Sequence, residues 1–165
     1  MPDGHRRPGG LLVTPATLGA WADRYLARLR QVDAAMVATG APAISPRWWQ
    51  TIERYVRSGR LVCLVRKGRR VGASSIVAPR LCVAFMLACP HRVPRGEYLT
   101  ALFVSVRRSE AADRLRNVRA VLDVLGVAYE ERGESLELAA LGWVVRVGTA
   151  NLAEVGGTYG WVWDD

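Results

Sequence analysis

Apolar residues recurring at steps of three and four mark the first ordered stretch of the chain. From Thr17 onward, Leu18, Trp21, Tyr25, Leu29 and Val32 fall on one helical face, with Arg24, Arg28 and Arg30 between them. Gly40, Ala41 and Pro42 break this pattern. A second helix is predicted after Ser45. Pro46 takes its first position, where a missing N–H costs nothing, and Ser58 and Gly59 end it near Arg57. Leu61, Val62, Cys63, Leu64 and Val65 then form a continuous apolar run, the pattern of a short strand covered on both faces.

A loop rich in Gly and Arg follows. After it, residues 74–88 predict a buried helix that is apolar on most sides. Pro79 conflicts with that helix, because it removes one backbone hydrogen bond. Residues 89–96 predict a loop, and 98–106 predict a strand. Ser109 is the expected N-cap of the next helix, with Glu110 favourable at its positive end and Gly126 as its stop. The core stripe of that helix is Ala111, Leu115, Val118, Leu122 and Leu125. Residues 127–131 and 135–138 predict a hairpin around Arg132 and Gly133. Residues 143–147 and 161–163 predict two further strands. Gly156 and Gly157 lie between them in a loop, and Asp164 and Asp165 follow the last strand.

This order of elements predicts an α/β domain of three layers. Residues 1–16, rich in Gly, Pro and Arg, are expected to form a flexible arm. Residues 17–41 form a helical segment, and 42–165 the α/β domain. The full length of 165 residues suits one domain.

Charge adds a partner class. The net charge is +8, carried almost wholly by arginine, since Lys67 is the one lysine. Such a balance favours nucleic acid, nucleotide phosphates or an acidic protein surface. Cys63, Cys82 and Cys89 all sit in apolar segments, which predicts free core thiols in a reducing compartment. His5 and His91 are isolated, so a metal site built from soft ligands is not expected. The longest apolar run, 81–88, is too short to cross a bilayer. A soluble intracellular protein is the expectation.

The chemistry is concentrated in Lys67, Gly68, Arg69, Arg70, Val71, Gly72, Ala73, Ser74 and Ser75. An apolar strand, a Gly-rich turn and a helix would aim backbone N–H groups and a helix dipole at one spot, a cradle for a triphosphate. Gly68 and Gly72 allow close backbone approach, and Ser74 stands where a hydroxyl reaches Mg²⁺. The strict phosphate-loop pattern is G-x-x-x-x-G-K-[ST]. Here Ala73 occupies the lysine slot and Lys67 the first glycine slot. An alanine cannot neutralise phosphate charge, whereas Lys67 could curl back over the phosphates from the start of the loop. Residues 69–74 also approach the pyrophosphate loop of acyl-CoA N-acetyltransferases, [QR]-x-x-G-x-[GA], with Arg69 and Gly72 in place and Ser74 departing at the last position.

These residues resemble the large terminase subunits of tailed phages, which are DNA-packaging motors. In the lambda-like branch the loop reads K-x-x-R-V-G-x-S, and Lys67, Arg70, Val71, Gly72 and Ser74 match each fixed position. In other branches it reads nearer [GS]-R-x-x-G-K-[ST], which Gly68, Arg69, Gly72 and Ser74 match and Ala73 does not. Residues 102–112 are also similar, with a strand, a polar turn and an alanine-rich helix start.

The resemblance covers about residues 42–165 and implies a P-loop three-layer sandwich with a mainly parallel sheet. It implies ATP and Mg²⁺ as ligands, with 67–75 around the phosphates and Gln50 at the adenine edge. Ser74 and Asp164 would hold the metal. Lys67, Arg69 and Arg70 would offset charge, and Asp165 would orient water where a glutamate is usual. It further implies double-stranded DNA, a small terminase subunit and a portal protein as partners, possible homo-oligomers, and the cytoplasm of a bacterial host. Terminase large subunits continue past the acidic strand, so a truncated or split form, with an incomplete sheet and no nuclease domain, is the expectation. The alternative on the same residues is a non-catalytic, arginine-rich protein that binds DNA or a motor partner on a degenerate P-loop fold.

Overall fold

The computed structural model describes residues 15–60, 62–64, 72–91, 97–105, 107–149 and 159–164. Helix α1 (Pro15–Ala38) buries Tyr25, Leu29 and Val32 of the predicted stripe, with Leu26 beside them, and leaves Leu18 and Trp21 partly buried. Helix α2 (Pro46–Ser58) starts as expected, with the Ser45 hydroxyl accepting from the Trp48 N–H, and ends at Gly59 with φ 65°. The next helical run opens with a π-helical turn, Ala73–Val77, and continues as α3 (Ala78–Ala88). The conflict posed by Pro79 is resolved in this way, because the proline falls in the first turn of α3, where its lost N–H is tolerated.

Strand β1 (Leu99–Ser105) leads into α4 (Arg108–Leu125), which stops at Gly126 with φ 63°. Leu115, Val118, Val121 and Leu122 are buried on it, and Leu125 of the predicted stripe is partly buried. Its N-cap is Arg107, with no side-chain cap bond, and the expected cap Ser109 lies inside the helix, exposed. The hairpin β2 (Glu130–Arg132) and β3 (Ser135–Leu138) turns at Gly133, as predicted. Strands β4 (Trp143–Thr149) and β5 (Tyr159–Asp164) complete a five-stranded sheet of order β2-β3-β4-β1-β5.

The sheet is mixed rather than mainly parallel. β1 pairs in parallel with β4 and with β5, while β3 pairs antiparallel with β2 and β4. The hairpin causes the difference, since a tight two-strand turn can only pair its arms antiparallel. Alternation puts Ala101, Phe103, Trp143, Val145, Leu136 and Leu138 on one face, and these join the helices in the main core. The other face carries the buried Leu102, Val104 and Val144, with Arg146 and Val162 exposed.

Two features bind α3 into this frame. Phe85 meets Tyr25 and Trp143 edge-on, with ring centroids 5.6 and 5.7 Å apart. Each such pair adds about 0.5–1.5 kcal/mol beyond area burial. Arg80 and Asp33 form a buried ion pair between α3 and α1, and Asp33 also accepts the Ile44 N–H at 3.1 Å. No helix among the described residues is long and apolar enough to cross a membrane.

The expected strand at 61–65 is not found at 62–64, the part that is described. These residues carry no regular structure, with Val62 69% and Leu64 93% exposed. An apolar run reads as a buried strand only where neighbouring strands cover it, and here the sheet lies elsewhere. Cys63 is exposed with it, which corrects the expectation of three core thiols; Cys82 is buried and Cys89 partly so. Residues 61 and 65, Gly156, Gly157 and 1–14 of the arm expected at 1–16 lie outside the described residues, and Pro15 and Ala16 belong to α1 rather than to an arm.

Candidate functional site

Gly72 opens the helical run in the left-handed region, φ 72°, a conformation that glycine adopts without a Cβ penalty. Its carbonyl accepts from both the Ile76 N–H, at 2.9 Å, and the Val77 N–H, at 3.0 Å, which gives the turn its π character. A Cβ at this position would stand 2.8 Å from Ile76 Cδ1. Ala73 is 3% exposed, so the slot that holds lysine in the strict motif is packed into protein here. Ser74 is partly buried and Ser75 exposed. Lys67, Gly68, Arg69, Arg70 and Val71 lie outside the described residues.

The far end of this helical run is anchored at the amino ends of the parallel strands. The Trp143 Nε1–H donates to the Cys89 carbonyl at 2.9 Å, and the His91 N–H to the Leu141 carbonyl at 2.8 Å. From there α3 runs back along α4, which the π-helical turn also touches. Gly72 and Ser74 are thus at the opposite end of the run from the amino ends of β1 and β4.

At the carboxyl ends of the same strands, three polar residues share the final register steps. Ser105 on β1 pairs with Thr149 on β4, and Val104 pairs with Asp164 on β5. In parallel α/β sheets, ligands bind at this end of the strands. Asp164 is exposed, and alternation sends it to the face shared with Val104, away from Phe103 and Ser105. Asp165 lies outside the described residues. Among the described residues, no group of three or more His, Cys, Asp or Glu is placed to hold a metal ion. Ser74 belongs to the helical layer, on the Phe103 side of the sheet, so the structure does not bring together the two oxygen donors expected for Mg²⁺.

Gln50 is exposed on α2, a helix packed on α1. Its neighbours Trp48 and Trp49 pack against the core, and Trp49 also lies under the Arg30 guanidinium at 5.7 Å. Arg30 in turn pairs with Glu53 at 2.7 Å. Arg30, Asp33, Val37, Trp49 and Glu53 line an open groove of about 410 Å³.

Two polar groups escape the motif-based reading. Ser105 Oγ and Trp163 Nε1 are buried, and each lacks a hydrogen-bond partner. A serine after Leu102, Phe103 and Val104 was the visible signal, a hydroxyl at the end of an apolar strand. The buried Asp33–Arg80 pair was signalled by charges interrupting apolar stripes. Comparison of the chain with known protein families, curated proteins and solved structures finds no match.

Proposed function

We propose that the chain is an ATP-binding module of a viral DNA-packaging motor of the large-terminase kind, on a P-loop-like three-layer fold. The observation that carries this reading is the parallel pair β1 and β5, with an acid, Asp164, at the carboxyl end of β5. The left-handed Gly72, opening a helix that is anchored at the opposite ends of the strands, adds to it.

Within the proposal, Lys67, Arg69 and Arg70 offset phosphate charge. Gly68, Val71, Gly72, Ala73 and Ser75 contribute backbone N–H groups. Gln50 reads the adenine edge, and Asp165 orients the attacking water. The substrate supplies the β–γ bond that is broken, and the bound metal supplies charge neutralisation. The motor would act on double-stranded DNA beside a small terminase subunit and a portal protein, as a homo-oligomer in the bacterial cytoplasm.

A second reading draws on the burial of Ala73, which leaves the usual lysine slot without a cation. In that reading the protein binds DNA or a motor partner through its arginines and hydrolyses nothing. Phosphate release from Mg²⁺·ATP separates the two. The first reading expects turnover that Asp165→Asn reduces about a hundredfold, on the scale of lost general-base assistance. DNA binding that weakens steeply with salt and ignores ATP would favour the second.

A further inference from the structure

Ser105 is 0% exposed, and its Oγ has no hydrogen-bond partner. A buried hydroxyl that no protein group satisfies carries a desolvation penalty, and a bound acceptor would offset it. Trp163 Nε1 is likewise buried and without a partner, on a ring that is itself only partly buried. The register sets the two residues diagonally on adjacent strands. Trp163 pairs with Phe103, and Ser105 lies two residues beyond Phe103, so both side chains are on one face of adjacent strands. An aromatic wall flanks them: Phe103 lies 5.1 Å from Trp161, which stacks on Trp163 at 6.4 Å.

The chemistry of the pair selects its ligand. An indole N–H can only donate, and a serine hydroxyl can donate alongside it. Asp164 is turned to the other face by alternation, so its carboxylate does not oppose an anion there. We propose that Ser105 Oγ and Trp163 Nε1 form a donor pair at the carboxyl ends of β1 and β5 that takes a phosphoryl oxygen. With ATP as its source, the inference rests on the nucleotide reading above; with free phosphate it stands without it.

The test is nuclear magnetic resonance of the tryptophan indole N–H groups, with the Trp163 signal assigned by Trp163→Phe. Inorganic phosphate and Mg²⁺·ATP are titrated separately, and calorimetry is run on wild type and Ser105→Ala. The expected result is a shift of the Trp163 signal with one or both probes, and roughly five- to tenfold weaker binding in Ser105→Ala, the scale of one lost hydrogen bond. A response to phosphate without ATP binding supports the site and sinks the nucleotide reading. ATP binding with an unmoved Trp163 signal and unchanged affinity in Ser105→Ala overturns the site and leaves the nucleotide reading intact. Without ligand, Ser105→Ala is expected to melt about 2–4 °C higher, because an unsatisfied hydroxyl is removed. A lower melting temperature together with no response to either probe overturns the site, and means that an internal water holds the hydroxyl.

Discussion

At the residue scale, Asp33 and Arg80 hold α1 to α3. Both are buried, and Asp33 serves two donors at once, the guanidinium and the Ile44 N–H. Removing either partner strands a buried charge, so Arg80→Ala and Asp33→Ala should each cost about 3–5 kcal/mol. Asp33→Ala should be the worse, because Ile44 also loses its acceptor. Urea denaturation midpoints check this ordering. The thiols separate in the same way by environment. Burial pushes the Cys82 thiol well above its ordinary 9.0, while Cys63 is exposed, with a smaller upward push from partial burial. A thiol reagent should therefore modify Cys63 in the native protein and reach Cys82 only on unfolding.

Burial also raises Tyr25, from an ordinary 10.0, with its hydroxyl donating to the Leu81 carbonyl at 3.1 Å. The linkage has one sign for Cys82 and Tyr25. Each is held neutral by the fold, so its contribution is intact below the unfolded pKa and is lost as pH rises through the folded one. Alkaline unfolding should begin above about pH 9, as unfolded thiols ionise, and Cys82→Val should move it to higher pH. Circular dichroism across the alkaline range reads this directly.

At the element scale, most helix ends were legible because they depend on single residues. Gly59 and Gly126 stop α2 and α4 in the left-handed region, and Ser45 with Pro46 starts α2. The hairpin around Gly133 was legible for the same reason. The start of α4 was not, since Arg107 rather than Ser109 takes the cap position, set by where β1 ends. The π-helical turn was legible only as a conflict at Pro79. The segment at 62–64 misled, because an apolar run says that residues can be covered, not what covers them. A tertiary contact that the local pattern did not announce is at Gly142. It takes φ 69°, and a Cβ there would run into the His91 backbone carbonyl. Gly142→Ala should cost about 3 kcal/mol, combining the left-handed penalty with displaced backbone bonds. Thermal unfolding of the variant measures it.

At the scale of the whole molecule, the sequence order of strands and helices predicted an α/β fold and left the mixed pairing to be discovered. The helical layer packs on one face of the sheet, and the polar ends of β1, β4 and β5 gather Ser105, Thr149 and Asp164. The candidate site was legible in part: Gly72 takes the positive φ its place in the loop requires, whereas Ala73 turns inward. Ser105 and Trp163 were not legible as a pair, because they come together only through strand register. Calorimetric titration of wild type and Lys67→Ala with Mg²⁺·ATP decides whether the loop grips a nucleotide. Wild type should bind, and Lys67→Ala should bind at least about tenfold more weakly, the value of one charge-assisted hydrogen bond. No binding by wild type, or equal binding by both proteins, would contradict the nucleotide reading.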